Sequence, residues 1–297
     1  MKKKPYRIVF YYLFVALRAF FNLFPYAFTV RFCRLLGRLI YYLLPRERQK
    51  IMANLRTAFG SEKTEKELAA IARAVFENYG MIAAETHMVH KIIPQMDRWI
   101  TLEGKEIGDR ALAQGRGIIA VVAHFGNWEL MGGYLSMRGF PCTVIARKIY
   151  YEKYNLLLMQ ARAKMGLKII YRDESPREML KVLKNGTVLG IVADQDVESV
   201  DGVFVNFFGR PAYTPIAPVR FALATGAPII PVFIIREGLR HRVIIEKPIE
   251  FTETGNKEQD LVTNTHKWVA VQESYIRRYP HLWVWNHKRW KTQKNKF

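Results

Sequence analysis

Residues 117–130, Gly-Ile-Ile-Ala-Val-Val-Ala-His-Phe-Gly-Asn-Trp-Glu-Leu, carry the pattern that decides the fold. The five apolar residues at 118–122 are rich in β-branched side chains, which is typical of a strand covered on both faces of a parallel sheet. The pattern breaks at Phe125-Gly126, and Asn127 can cap the helix that follows. The stretch therefore predicts a buried strand, a tight turn and a helix, with His124 at the end of the strand.

The spacing of His124 and Glu129 permits a catalytic pair because a turn separates them. Within one continuous helix, residues five positions apart diverge by about 140°. Across a strand–turn–helix corner the chain folds back, so the carboxylate can reach one imidazole nitrogen while the other accepts a proton from a hydroxyl, as a general base does. The spacing equally allows a core histidine bonded to a backbone carbonyl, and a glutamate that complements the helix dipole.

Strands and helices alternate along the rest of the chain. The pattern predicts further strands at 142–147, 167–171, 187–193, 228–235 and 242–246, and helices at 151–164, 176–184, 215–225 and 256–279. Strands separated by helices of this length indicate a largely parallel sheet. The predicted fold class is α/β: a single layered domain with a largely parallel central sheet flanked by helices, plus N-terminal hydrophobic membrane-associated helices.

The first 45 residues differ from the remainder. Residues 8–24 carry one charge and are slightly short of the ~20 residues that span a bilayer. In the following segment Arg31, Arg34 and Arg38 fall on one helical stripe, which is typical of an amphipathic helix on an anionic membrane. We divide the chain into residues 1–45, the membrane-anchoring or interfacial helices, and residues 46–297, the α/β domain. Both a spanning and an in-plane anchor stay open.

The chain is strongly basic. It contains 46 Lys and Arg against 26 Asp and Glu, a formal net charge of +20, which predicts an acidic partner such as nucleic acid, anionic lipid or an acidic protein. No helix-turn-helix, zinc-finger or RRM signature is visible, so we expect no nucleic-acid partner. Cys33 and Cys142 provide neither a disulfide framework nor metal-ligand spacing, and we expect no metal and no cofactor.

His124-Phe-Gly-Asn-Trp-Glu129 resembles the His-x4-Asp/Glu signature of the glycerolipid acyltransferases. In this form it is similar to the late lipid A biosynthesis acyltransferases, the lauroyl and myristoyl branch. The remaining blocks that carry the resemblance are Arg147 with Asn155, Asp194-Gln195 with Arg210 and Thr214, residues 228–233, and the tail Trp285-x-His287-x-Arg289-Trp290-Lys291. Together they extend from about Phe20 to Lys291.

The resemblance implies a reaction and a set of site residues. A hydroxyl of a lipid A precursor would attack a fatty acyl thioester on acyl carrier protein, with His124 as general base and Glu129 as its orienting acid. Substrate-binding roles are implied for Asn127, Arg147, Asn155, Asp194, Gln195, Arg210 and Thr214.

The resemblance also implies a location and partners. The enzyme would lie on the bacterial inner membrane with its catalytic domain on the cytoplasmic side, in contact with anionic membrane lipid and its lipid acceptor. Another membrane glycolipid or a phospholipid as acceptor, coenzyme A as the form of the donor, the acyl-chain length and the oligomeric state stay open.

Overall fold

Residues 6–149 and 151–293 are described by a computed structural model, so the first five residues of the predicted N-terminal region lie outside it. The strands in this part of the chain are β1 (Ile100–Glu103), β2 (Ile118–Val122), β3 (Cys142–Ala146), β4 (Lys168–Tyr171), β5 (Val188–Val192), β6 (Gly202–Phe207), β7 (Arg210–Pro215), β8 (Ile229–Glu237) and β9 (Arg240–Ile245). The helices are α1 (Tyr6–Asn22), α2 (Tyr26–Leu43), α3 (Pro45–Phe59), α4 (Glu65–His87), α5 (Val89–Ile92), α6 (Met96–Trp99), α7 (Lys105–Ala113), α8 (Trp128–Met137), α9 (Glu152–Lys164), α10 (Pro176–Lys184), α11 (Ala217–Thr225) and α12 (Lys257–Arg278).

Seven strands form one sheet in the order β1-β9-β8-β2-β5-β3-β4. All neighbouring pairs are parallel except β8 and β9, which form an antiparallel hairpin. The predicted α/β class with a largely parallel sheet flanked by helices is confirmed. Because the strands beside β2 run parallel to it, the carboxyl ends of β2, β5 and β3 meet at one edge, where open α/β sheets bind ligands.

The sheet separates two hydrophobic cores. Successive residues of β2 point to opposite faces: Ile119 and Val121 join the core under α10 and α12, whereas Ala120 and Val122 join the core under α8. We call these the α10 face and the α8 face. All five residues of β2 are buried, which explains why this strand lacks the alternation of a half-exposed one.

Two strands near the site come from a segment that the sequence did not predict as strand. β6 and β7 pair as an antiparallel hairpin closed by Phe208 and Gly209, both with positive φ. Phe207 and Phe208 are the aromatic residues at the end of β6 and in the turn that follows it. The structure buries both in the core of the α10 face.

The second helix packs very closely on the fourth. At Gly37 of α2, a Cβ would collide with the backbone carbonyl of Phe76 on α4, so only glycine fits this contact. The approach brings Glu77 beneath α2, where its carboxylate accepts from Arg34 Nε at 2.7 Å and Arg38 Nε at 2.6 Å. Two of the three arginines predicted to meet a membrane are therefore also paired within the protein, and their side chains stay 52% and 47% exposed, so membrane contact by this stripe stays a prediction.

The exposed surface of α2 also carries an apolar row. Leu35, Leu39 and Leu43, one turn apart, are 60%, 51% and 63% exposed. Among residues 6–149 and 151–293, no helix combines the length and the apolar character that crossing a bilayer requires.

Candidate active site

The chain reverses direction immediately after His124. Gly126 has a φ of +56°, and a Cβ there would collide with the backbone carbonyl of Ile234, so the turn requires glycine. Asn127 then caps α8 by accepting from the backbone N–H of Leu130 at 3.1 Å. The predicted strand, turn and capped helix are all present, and His124 lies at the carboxyl end of β2.

Asp194 holds the imidazole of His124. Its Oδ1 lies 2.7 Å from His124 Nδ1, while its Oδ2 accepts from the His124 backbone N–H and from Trp283 Nε1, both at 2.8 Å. Because an ionised carboxylate only accepts, Nδ1 carries the proton and Nε2 keeps its lone pair. The side chain of His124 is 25% exposed, whereas that of Asp194 is 2% exposed.

The two groups shift each other's ionisation. Burial of the imidazole by itself lowers the pKa of His124, but the charge of Asp194, its hydrogen bond and the charge of Glu129 together raise that pKa above its ordinary value. Burial by itself raises the pKa of Asp194, but the charge and hydrogen bond of His124, the nearby His287 and the Trp283 hydrogen bond together lower it. The carboxylate is therefore ionised at neutral pH and stabilises an imidazolium beside it.

Glu129 is not the carboxylate that hydrogen-bonds to His124, contrary to the sequence prediction. Its oxygens accept from Arg162 Nε at 2.8 Å and Nη2 at 2.5 Å, in a largely buried pair between α8 and α9. The register explains the exchange: Val122 pairs with Val192, so the residues two positions beyond, His124 and Asp194, lie side by side. Glu129 contributes its charge to the pKa of His124 without touching the ring.

A cavity of about 980 Å³ opens beside His124. Its lining comes from both faces of the sheet, so it extends to either side of the carboxyl ends of β5 and β3. The arm on the α8 face is lined by apolar residues: Ala120, Val122, Met131, Gly132, Leu135, Cys142, Val144, Leu158, Leu167, Val188, Gly190 and Val232. We call this the deep arm.

The strand register gives the length of the deep arm. Cys142 and Val188 pair with each other, and Val188 pairs with Ile118, which precedes His124 by six positions. At 3.3 Å per residue, the arm extends about 20 Å from the level of His124 to the start of the strands. Apart from the Glu129–Arg162 pair and the Trp128 indole, the residues that line this face are apolar, so the arm suits an extended hydrocarbon chain.

The second arm, which we call the shallow arm, lies on the α10 face. It reaches Ile145 and Ile191, which is about three residues or 10 Å below the level of His124. Met179 and Phe221 form its apolar wall. Its rim is charged and includes Arg147, Arg172, Glu174, Glu198 and Lys291.

Four of the predicted site residues line this cavity: His124, Glu129, Arg147 and Gln195. The amide nitrogen of Gln195 lies 3.3 Å from Nδ1 and 3.4 Å from Nε2 of His124. Because the two distances are nearly equal, the amide nitrogen lies off the lone-pair axis of Nε2, so Nε2 has no aligned partner in Gln195. Asp194 lies directly behind the histidine.

The other predicted residues are outside the cavity lining. Asn127 is fully buried, with its Nδ2 bonded to Glu85 at 2.9 Å. Asn155 connects the Ile149 N–H to the Tyr171 hydroxyl, both at 3.2 Å, and so fixes the segment after β3. Thr214 is fully buried and accepts from Arg289, and Arg210 is exposed at the start of β7. In this structure the contacts of Asn127, Asn155 and Thr214 hold elements in place.

Sequence reasoning missed several residues of the site. Arg162 pairs with Glu129 across the cavity wall, and nothing in its local sequence marks it. The tail provides Trp283, which bonds Asp194, and Arg289, which donates to Tyr213 O and Thr214 Oγ1 from a buried position. The resemblance already included Arg289 in its tail block but gave it no role in the site, whereas Trp283 lies just outside that block.

His287 belongs to the same tail and lies near the pair. Its ring centroid is 6.5 Å from that of His124. Burial is the main cause that lowers its pKa, to about 4, so His287 is neutral at physiological pH. Among residues 6–149 and 151–293, His124 therefore has one charged hydrogen-bond partner, Asp194, and no cationic histidine beside it.

The arrangement can perform base catalysis next to a hydrocarbon channel. An imidazole with its Nδ1 proton fixed by a buried carboxylate leaves Nε2 to take a proton from a hydroxyl. The deep arm begins at this imidazole and ends in the apolar interior. A substrate that fits both features carries a long alkyl chain whose reactive end stops at His124.

Comparison with known proteins agrees with this chemistry. A sequence model of a family described as bacterial lipid A biosynthesis acyltransferase matches residues 2–292. The chain is similar to the lipid A biosynthesis lauroyltransferase of Escherichia coli K12, 28% identical over 275 residues that are 91% of this chain and 87% of that protein. It is also similar to the lipid A biosynthesis palmitoleoyltransferase of the same strain, 26% identical over 267 residues, 87% of this chain and 83% of that protein.

A shorter similarity extends to another glycolipid enzyme. The phosphatidylinositol mannoside acyltransferase of Mycobacterium tuberculosis is 29% identical over 174 residues. The aligned part is 56% of this chain and 54% of that protein, so the chain spans about half the length of this relative.

Proposed function

This chain belongs to the bacterial lipid A biosynthesis acyltransferase family, and we propose that it transfers a fatty acyl group from an acyl carrier protein thioester to a hydroxyl of a lipid A precursor. The observation that carries the proposal is His124, with Nδ1 bonded to the buried Asp194, at the entrance of the deep apolar arm. This combination supports a base that acts on a hydroxyl beside a bound acyl chain.

In the proposed reaction, His124 Nε2 accepts the proton of the acceptor hydroxyl as its oxygen attacks the thioester carbonyl. The tetrahedral intermediate collapses with cleavage of the C–S bond, and the imidazolium returns its proton to the leaving thiolate. Asp194 fixes the tautomer and stabilises the imidazolium. Glu129 adds a second negative charge and, through Arg162, fixes the wall formed by α9.

The acyl group passes directly from donor to acceptor in this mechanism. Cys142 lines the deep arm, but it lies at its far end, about 20 Å from the level of His124. Burial raises the pKa of its thiol to about 12, so it is protonated and poorly nucleophilic at neutral pH. We propose no acyl-enzyme intermediate.

Charge that develops on the carbonyl oxygen needs hydrogen-bond donors. The first N–H groups of a helix have no partner within that helix, and its dipole favours negative charge there. We assign this role to the first turn of α8, at Trp128 and Glu129, whose side chains line the cavity beside His124. The Trp128 ring lies edge-on to the imidazole, 5.1 Å between centroids.

We assign the acyl chain of the donor to the deep arm. The hydrocarbon core of a bilayer is ~30 Å thick, so one lipid chain extends about 15 Å, which fits the 20 Å arm. Each buried methylene contributes about 0.8 kcal/mol of binding. The arm therefore supplies binding energy far from the reacting carbonyl, which positions it against His124.

We further propose that residues 1–45 bind the membrane that holds the acceptor, and that residues 46–297 carry the chemistry. The exposed leucine row of α2 supports insertion into the interfacial region of a bilayer, and the net charge of +20 supports attraction to anionic lipid and to an acidic carrier protein. The proposed location is the cytoplasmic face of the bacterial inner membrane, where carrier-bound acyl groups are available.

A second acceptor class is favoured by one observation. The M. tuberculosis relative is named for acyl transfer to a phosphatidylinositol mannoside. That acceptor is a membrane glycolipid of another kind. The same base, channel and membrane surface serve any glycolipid hydroxyl. The two candidates therefore differ in the headgroup alone.

Mass spectrometry of lipids from a strain that lacks the gene tests the function and separates these acceptors. Lipid A lighter by one fatty acyl group, restored by the wild-type gene and not by His124→Ala, is the expected result. An unchanged lipid A together with a phospholipid-linked glycolipid lighter by one acyl group would assign the second acceptor. Unchanged lipids of both classes would refute the proposal.

A further inference from the structure

Two arginines lie side by side at the carboxyl ends of β3 and β4. The strands pair in parallel with Ala146 opposite Tyr171, so the next residues, Arg147 and Arg172, are neighbours in register. The backbone N–H of Arg172 donates to Ala146 O at 2.9 Å, which continues the ladder to this point. Residues in register on adjacent strands are about 4.8 Å apart and share a face of the sheet. Both side chains line the rim of the shallow arm.

No carboxylate is paired with either guanidinium within residues 6–149 and 151–293. Most other arginines near the site are engaged: Arg162 by Glu129 and Arg289 by the Tyr213 carbonyl. Glu174 also lines the rim, but its Oε1 accepts from the Tyr171 N–H at 2.9 Å. Two exposed cations held this close repel each other unless a shared anion neutralises them.

The distance of Arg147 and Arg172 from His124 limits which part of a substrate could supply this anion. β3 is two strands from β2 and β4 is three, so the arginines lie roughly 10 and 14 Å along the sheet edge from the level of His124. A group bound there cannot be the reacting thioester or hydroxyl. It belongs to the same substrate several bonds farther away, on the solvent side of the cavity.

We propose that Arg147 and Arg172 form a phosphate-binding pair that anchors a phosphorylated substrate through the rim of the shallow arm. Guanidinium groups bind phosphate oxygens in bidentate fashion, and two of them match a phosphate better than a single carboxylate. The inference rests on the proposed acyl transfer, because both of its substrates carry phosphate: the donor on its phosphopantetheine arm, and the acceptor on its sugar.

Kinetics with phosphate-free substrates test the pair and identify the source. The rates of Arg172→Ala and wild type are compared with two pairs of substrates. The donors are acyl-phosphopantetheine and acyl-pantetheine, which differ in the phosphate. The acceptors are the lipid A precursor and its phosphatase-treated form. KM for the substrate whose phosphate is bound should rise roughly ten- to hundredfold, with kcat changed less, while KM for its phosphate-free form stays at the wild-type value. Arg172→Lys should recover part of the loss.

Arg177→Ala is the matched control, since Arg177 is an exposed arginine of α10 outside the cavity lining. An equal rise in KM for phosphorylated and phosphate-free forms, or no rise for any substrate, overturns the pair. If wild type transfers no acyl group between these substrates, the proposed function fails, and the phosphate-binding role of Arg147 and Arg172 is tested by direct binding measurements. Calorimetry with phosphopantetheine and with the detergent-solubilised precursor should then show that one of these ligands binds Arg172→Ala more weakly than wild type. If each ligand binds wild type and Arg172→Ala with equal affinity, the phosphate-binding pair is overturned.

Discussion

Asp194→Asn should disable the base while leaving the fold intact, because the two carboxylate oxygens have separate partners. Oδ2 accepts from the His124 backbone N–H and from Trp283 Nε1, and an asparagine oxygen in that position keeps both bonds. The amide nitrogen then takes the place of Oδ1 and donates to Nδ1. The ring must carry its proton on Nε2, which can no longer accept one from a hydroxyl.

The loss should be large and specific to catalysis. In a serine protease triad, replacing the aspartate by asparagine reverses the histidine tautomer and lowers kcat by a factor of about 10⁴. General-base catalysis as a whole raises a rate by a factor of roughly 10²–10⁴. We therefore expect kcat to fall by a factor of about 10²–10⁴, with KM for the donor nearly unchanged. His124→Ala combined with Asp194→Asn should lose little more than either change alone, because the two residues act as a unit.

The pH dependence gives a second measure of the same pair. In wild type kcat/KM should rise with pH as the imidazole loses its proton, and the midpoint should lie above the ordinary histidine value because the Asp194 carboxylate raises the pKa of His124. In Asp194→Asn the residual activity should show its midpoint at lower pH, since that charge is gone. The assay is steady-state acyl transfer across the pH range beside a thermal melt of each variant.

Asp260→Asn is the matched control. Asp260 is also buried, and its carboxylate accepts from the N–H and the hydroxyl of Thr254 away from the cavity. This variant should lose some stability and keep the wild-type pH profile. An Asp194→Asn enzyme with near wild-type kcat, or with an unshifted midpoint, would refute the role of Asp194.

Three further predictions concern stability, membrane binding and chain length. Glu85→Gln should lower the free energy of unfolding by about 3–5 kcal/mol in a denaturant titration, because the buried Arg236 loses its carboxylate. Burial by itself raises the pKa of Glu85, but the charges and hydrogen bonds of His241 and Arg236 together lower it below its ordinary value of 4.5. The contribution of this carboxylate to stability should therefore be present above pH 4.5 and be lost as the pH falls below that value. Replacing Leu35 and Leu39 together by Ser should release much of the protein from anionic vesicles in a co-sedimentation assay. Each leucine buried in the bilayer contributes about 1.5–3 kcal/mol of binding free energy. Unchanged sedimentation would exclude this face of α2 as the membrane surface. Cys142→Met should shorten the preferred acyl chain, because the larger side chain fills the end of the deep arm. Each methylene that no longer fits should cost about 0.8 kcal/mol of binding, or roughly fourfold in kcat/KM. An unaltered chain-length profile would place the acyl chain elsewhere.

The local pattern of the sequence predicts the corner that carries the site. Five β-branched-rich apolar residues, a glycine turn and an asparagine cap are short-range signals, and the structure has a strand, a turn and a helix at those places. The alternation farther along likewise predicts the α/β class. Strand β1 has only four residues, and hairpin β6–β7 includes polar residues and prolines that interrupt an apolar pattern, so neither was predicted.

Partner choice between distant residues could not be predicted in the same way. The bond from His124 to Asp194 joins positions 70 apart, and it exists because β5 is the neighbour of β2 and pairs with it in one register. Local spacing pointed to Glu129, whose carboxylate is bound instead by Arg162 from α9. The pairing of Arg34 and Arg38 with Glu77 was missed for the same reason, since the packing of α4 brings Glu77 beneath α2.

Single-turnover transfer of a labelled acyl group from acyl carrier protein to the lipid A precursor, by wild type and by folded His124→Ala, tests the central claim most directly. Wild type should convert donor to acylated lipid with no label covalently attached to the protein at any time. The variant should melt at nearly the wild-type temperature and transfer about 10²–10⁴ times more slowly, the contribution of a general base. A folded His124→Ala that transfers at near the wild-type rate, or label that appears on the protein and is then passed to the lipid, would contradict the mechanism.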